Sequence, residues 1–104
     1  MVNEQQELRL NILRKLLEFL KDPNQQYTLS TTLQYMQPEY DEKDFCQELL
    51  ILDQEGYIET SEIDGQGNAV VVDADTAKQL IDEGSYDKIL IAIKEPALLL
   101  FNCN

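Results

Sequence analysis

Apolar residues recur at helical spacing through residues 4–21, where Leu8, Leu10, Ile12, Leu13, Leu16, Leu17, Phe19 and Leu20 are set among Asn11, Arg14, Lys15, Glu18 and Lys21. At about 100° per residue these side chains cover roughly 200° of the helix circumference, about twice what one packing face uses. The spacing predicts a helix that is central to the core or shared with a partner. Asp22-Pro23-Asn24 ends it, because proline cannot extend the ladder and restricts the residue before it. Residues 24–27 read as a polar connection. Leu29, Leu33 and Met36 then fall at helical spacing behind Thr28, a residue type suited to the N-cap, and predict a short second helix over 29–36.

A turn at Gln37-Pro38-Glu39-Tyr40 leads into a third predicted helix, from about Asp41 to Glu55. Asp41 and Asp44 sit at its cap and third position, where acids favour the positive end of the helix dipole. Phe45, Cys46, Leu49 and Leu52 form its buried side, and Gly56 is its stop. Residues 57–63 and 69–72 mix β-branched and aromatic positions around the turn formers Asp64-Gly65-Gln66-Gly67-Asn68, the pattern of a hairpin. Asp75 or Thr76 can cap a helix reaching Asp82 and ended by Gly84. Ser85 can cap a last helix through Lys94, broken at Pro96. Periodicity leaves the tail from Ala97 to Asn104 open between helix, strand and docked coil.

The motif Leu49-x-x-Leu52-x-x-x-Gly56-Tyr57-Ile58-Glu59 resembles the end of a winged-helix recognition helix, with its glycine stop and the first strand of the wing. From about Leu8 to Asp82 the element order is similar to that of the winged helix-turn-helix superfamily, in its MarR-like and small prophage members, without singling out a subfamily. The resemblance implies an α+β fold of three helices and a β-hairpin wing with a C-terminal helical extension. All of residues 1–104 form one domain in this reading, with its core at about 4–83 and a C-terminal helix and tail at 85–104. It also implies DNA binding, by the third helix in the major groove and the wing against the backbone.

Charge changes that picture. The 104 residues carry 8 Lys+Arg and 20 Asp+Glu, a formal net charge of −12. Residues 1–22 and 84–104 are each neutral, whereas 39–83 hold 14 acids against Lys43 and Lys78. Duplex binding draws much of its free energy from bases that neutralise phosphates. The third helix has one base and the proposed wing none, so direct nucleic-acid binding is not expected of this face. Asp44, Glu48, Ile51 and Glu55 fall at i, i+4, i+7 and i+11 and define one stripe, with Ile51 as an apolar anchor inside an acidic rim. With Glu59, Glu62 and Asp64 of the wing they are the candidate partner-binding residues. Exchanging Asp44, Glu48 and Glu55 for Lys is expected to leave folding nearly intact.

The leading reading is an acidic winged-helix protein-interaction module in a transcription- or phage-associated setting, whose protein partner has a basic surface. One alternative is a DNA mimic that occupies a nucleic-acid-binding groove. Another is a dimeric regulator that binds DNA through Arg9, Arg14, Lys15 and Lys21. The wide apolar arc of the first helix and the runs Ile89–Ile93 and Ala97–Phe101 place Leu13, Leu17, Leu20, Ile93 and Leu99 on a candidate homodimer seam; the other arrangement is a monomer with the C-terminal segment folded over the first helix.

Other chemistry is thin. Histidine is absent, which removes Ser-His and Cys-His catalysis and His-metal sites. Glu62-x-Asp64-x-Gln66-Gly67 with Asp73 has the outline of a calcium loop, but its first, fifth and ninth places are wrong and a strand leads into it. Cys46 reads as a core residue and Cys103 as a tail thiol with no base beside it. Tyr35, Tyr40 and Tyr57 read as core-edge residues. The expectation is a non-enzyme with no cofactor and no bound metal. The longest apolar runs have five residues, far short of the ~20 of a membrane span, and no secretory signal is visible, so a cytoplasmic location without membrane contact is expected.

Overall fold

The computed structural model describes residues 4–21 and 26–101. The helix stop expected at Asp22-Pro23-Asn24 and the tail thiol Cys103 lie outside the described residues. Among them run helix α1 (Glu4–Leu20), strand β1 (Tyr27–Thr28), helices α2 (Leu29–Met36) and α3 (Glu42–Gln54), strands β2 (Ile58–Ile63) and β3 (Ala69–Val72), helix α4 (Ala74–Asp82), a 3-10 turn (Tyr86–Lys88), strand β4 (Ile89–Ile93) and helix α5 (Glu95–Phe101). The protein is an α+β globule with an antiparallel four-stranded sheet in the order β1-β4-β2-β3. No helix among the described residues is long and apolar enough to cross a membrane.

Local chemistry accounts for most element boundaries. Thr28 caps α2, its hydroxyl accepting from the Thr31 N–H at 3.1 Å. Asp41 caps α3 by accepting from the N–H groups of Lys43 and Asp44. That helix ends at Gly56, whose φ of +85° is open to glycine at little cost. The hairpin turn is built on Asp64, whose carboxylate accepts from the N–H groups of Gln66 (2.8 Å) and Asn68 (2.9 Å). Helix α4 starts earlier than expected, because Asp73 rather than Asp75 or Thr76 is its cap and accepts from the Thr76 N–H.

The broad apolar arc of α1 is used within the chain. Ile12, Leu13, Leu16 and Leu20 are fully buried, and Leu8, Leu17 and Phe19 pack around that line. The helix touches α2, α3, α5 and β4, so it has neighbours over most of its circumference. Phe19 stacks on Tyr35 with ring centroids 4.5 Å apart and lies 4.7 Å from the Tyr27 ring. Tyr35, Tyr40 and Tyr57 edge the core as expected.

The main departure is at the C-terminal side. The helix expected from Ser85 to Lys94 is instead a short 3-10 turn and the strand β4, so this segment is the middle of the sheet rather than a helical extension. Strand β4 pairs with β1 (Tyr27 opposite Ile91) and with β2 (Ile58 opposite Ile93, Glu62 opposite Ile89). Ile89, Ile91 and Ile93 point into the helix layer and are buried, whereas Leu90 and Ala92 lie on the other face. A central strand is apolar on both faces, and a short unbroken apolar run carries no period that separates it from a buried helix. The tail does turn helical, as α5, with Ala97 in the core. Strand β1 was equally hidden, because two residues carry no alternation.

Two unlike faces of β4 have an energetic signature. Ile91→Ala is expected to lower stability by about 2–5 kcal/mol through lost burial and a residual cavity, and Leu90→Ala by under about 1 kcal/mol. Urea unfolding measures both, and equal losses would contradict this assignment.

Candidate functional site

Along α3 the candidate stripe divides. Asp44 and Glu55 are exposed and Ile51 is half-buried, but Glu48 retains only 5% of its exposure. The cause is angular. At about 100° per residue Glu48 stands roughly 40° from the core residue Leu52, closer than any other member of the stripe. That flank faces α1, where the Arg9 Nε donates to Glu48 Oε1 at 2.8 Å. A buried carboxylate requires such a partner. Glu48 is therefore withdrawn from the partner-binding set and becomes a link between the first and third helices. The signal available in the sequence was its position at the edge of the buried set.

The wing residues also differ among themselves. Glu59 and Glu62 are half-buried on β2, and the exposed Asp64 has its carboxylate committed to the turn. Two carboxylates outside the candidate partner-binding set, Asp53 and Asp73, complete the acidic surface. Asp53 accepts from the Thr60 hydroxyl at 2.8 Å, and burial pushes its pKa up, against the lowering effect of that bond and of Lys94. The neighbouring charges of Asp73 and Glu59 push it further up. Asp73 itself is held below the ordinary carboxylate range, chiefly by the Thr76 N–H at the α4 N-terminus. Among the described residues no three His, Cys, Asp or Glu side chains are grouped as a metal ion needs. Burial, helped by Glu42, pushes the Cys46 thiol up to about 11, which keeps it protonated and unreactive.

The bases of α1 are partly engaged. Besides Arg9 with Glu48, Lys15 Nζ donates to Glu39 at 2.9 Å and lies 5.0 Å from the Tyr35 ring centroid. The expected dimer seam is likewise divided. Leu13, Leu20 and Ile93 are buried inside this chain and cannot face a second copy without unfolding it. Leu17 is half-buried, and Leu99 is 63% exposed. Leu10 and Leu100 flank an apolar groove of about 210 Å³ floored by Leu13, Leu52 and Tyr57.

A further surface escaped the sequence reading. Ile58, Thr60, Ile89, Ile91 and Ile93 share one face of β2 and β4 and are buried there, where the Thr60 hydroxyl meets Asp53 of α3. The opposite face carries Ile63, Val71 and Leu90, which are outside the core cluster, together with Glu59 and the buried Ser61 and Ala92. Comparison with known proteins finds no match to this chain among protein families, curated proteins or solved structures.

The altered role of Glu48 changes what charge reversal should do. Glu48→Lys is expected to cost about 2–4 kcal/mol, because it sets two cations against each other in a part-buried site, whereas Asp44→Lys and Glu55→Lys should each stay within about 0.5 kcal/mol. Thermal and urea unfolding of the three single variants measure this. Asp53 supplies a pH test. Its raised pKa means that the folded chain holds this proton to higher pH than the unfolded chain, so its contribution weakens stability as pH rises through and above the carboxylate range. Asp53→Asn keeps an acceptor for Thr60 and removes the charge. It should raise the unfolding midpoint at neutral pH and lose that advantage in acid.

Proposed function

We propose that this chain is an acidic winged-helix protein-interaction module whose α3 and hairpin bind a protein partner through a basic surface. The observation that carries the reading is charge segregation. The whole net charge of −12 resides in residues 39–83, and no base stands between Lys43 and Lys78. Asp44 and Glu55 project from α3 around the half-buried Ile51, with Glu59 and Glu62 on the adjoining strand. Such a surface speeds encounter with a basic partner and repels phosphate. The order α1-β1-α2-α3-hairpin supports the winged-helix part of the reading, and with it a transcription- or phage-associated setting. The engagement of Arg9 and Lys15 with carboxylates argues against helix 1 as a DNA-binding face. A homodimer across α1 and α5 would have to use Leu17, Leu99 and the groove residues Leu10 and Leu100; sedimentation equilibrium separates it from a 12.0 kDa monomer.

The test is affinity capture with the tagged chain at low and moderate salt, followed by identification of what is retained. A retained basic protein should be lost with Asp44→Lys/Glu55→Lys and kept with Glu4→Lys/Glu7→Lys on the electroneutral helix α1. Equal retention by both variants, or retention of duplex DNA itself, would overturn the reading. If the retained protein binds DNA and added duplex displaces it, the partner's DNA site is the one occupied, as for a DNA mimic.

A further inference from the structure

Strand β3 is an open sheet edge. The hydrogen-bonding phase of the hairpin follows from its closing bond, Asp64 N–H to the Asn68 carbonyl at 2.8 Å. By the alternation of an antiparallel ladder, Glu62 with Val70 and Thr60 with Val72 are then the bonded pairs. The other side of β2 agrees, since Lys94 donates to the Tyr57 carbonyl at 3.0 Å, which directs Glu59 and Ser61 toward β4. Ala69 and Val71 therefore aim their N–H and C=O groups away from the sheet. No strand lies beyond them among the described residues, and Val70 and Val71 are 52% and 61% exposed. Lysine, proline and bulges are the usual guards of such an edge, and Ala69–Val72 has none of them.

What surrounds this edge selects its occupant. Glu59, Glu62, Asp64 and Asp73 lie on or beside the hairpin without a compensating base on it. A second copy adding its own β3 about a two-fold axis would join two hairpins that each carry these four acids and no base, and their like charges oppose that pairing. The same charges attract a strand of opposite sign. On one face an added strand would lie beside Ala69 and Val71, so alternate side chains meet apolar surface there; on the other it would lie beside Val70 and Val72, with Glu62 one strand further in, opposite Val70.

We propose that β3 receives an extended basic segment of the partner, with Lys or Arg alternating with apolar residues, as a fifth strand. This rests on the basic-partner reading above and adds to it the conformation of the bound segment and its point of attachment.

The test uses three capped peptides: one of alternating Lys and Val, the same peptide with its main-chain amides N-methylated, and one of alternating Glu and Val. Binding is followed by fluorescence anisotropy, and hydrogen exchange is read at the Ala69 and Val71 amides. The Lys/Val peptide should bind and slow exchange at both amides, and N-methylation should weaken it about tenfold or more by removing its main-chain donors. Val71→Pro, which deletes an outward N–H and no ladder bond, should weaken it similarly; Val71→Lys, which leaves the backbone intact, should do so through charge. Equal binding of the Lys/Val and N-methylated peptides would overturn strand addition and leave the basic-partner reading standing. Equal protection by the Lys/Val and Glu/Val peptides would overturn the basic character of the occupant, and with it that reading. No binding of either Lys peptide at low salt would overturn both. Protection that grows with protein concentration in the absence of peptide would assign the edge to a second copy and overturn the proposal.

Discussion

Burial of Ile89, Ile91 and Ile93 is the constraint around which the rest of the chain is arranged. Three β-branched side chains on one face of a five-residue segment can be buried together only if its backbone is hydrogen-bonded on both sides. Strand β1 supplies one neighbour and β2 the other. A segment near the end of the chain thereby separates the strand that follows α1 from the hairpin, and the helix layer closes over the isoleucines. The consequence is carried outward. With β4 beside β2, the hairpin's other strand has no partner on its far side among the described residues.

Charge follows the same division. Residues 1–22 and 84–104 are neutral and include α1 and β4, which share the core, while the acids of 39–83 lie on α3, the hairpin and α4. Electroneutral segments can pack without repulsion, and the excess charge lies outside them. Glu48 is the exception that tests this rule. It sits where the acidic helix meets α1, and it is tolerated in the interior because Arg9 reaches it at 2.8 Å.

What could be read from the sequence was what local chemistry decides. Asp41 and Thr28 cap their helices, Gly56 stops α3, and Asp64 to Asn68 closes the hairpin, each by contacts within a few residues. Phe45, Cys46, Leu49 and Leu52 follow helical spacing and are buried as that spacing implies. What could not be read depended on distant neighbours. Strand β4 lacks a period because both of its faces are apolar or small, and only its pairing with Tyr27 and Ile58 distinguishes strand from helix. The fate of Glu48 depended on an arginine 39 residues away. Of the candidate stripe, Asp44, Ile51 and Glu55 keep a surface position, and the open edge at Ala69–Val72 became visible only once the strand order was known.

The place of β4 at the centre and β3 at the edge is tested most directly by native-state amide hydrogen exchange, which reads each hydrogen bond separately. The Leu90 and Ala92 amides, directed at β2, should exchange only through global unfolding and rank among the slowest in the chain. The Ala69 and Val71 amides, directed at solvent, should exchange at nearly the rate of an unstructured peptide. Fast exchange at Leu90 and Ala92, or protection at Ala69 and Val71 in the dilute isolated chain, would contradict this strand order and the surface that depends on it.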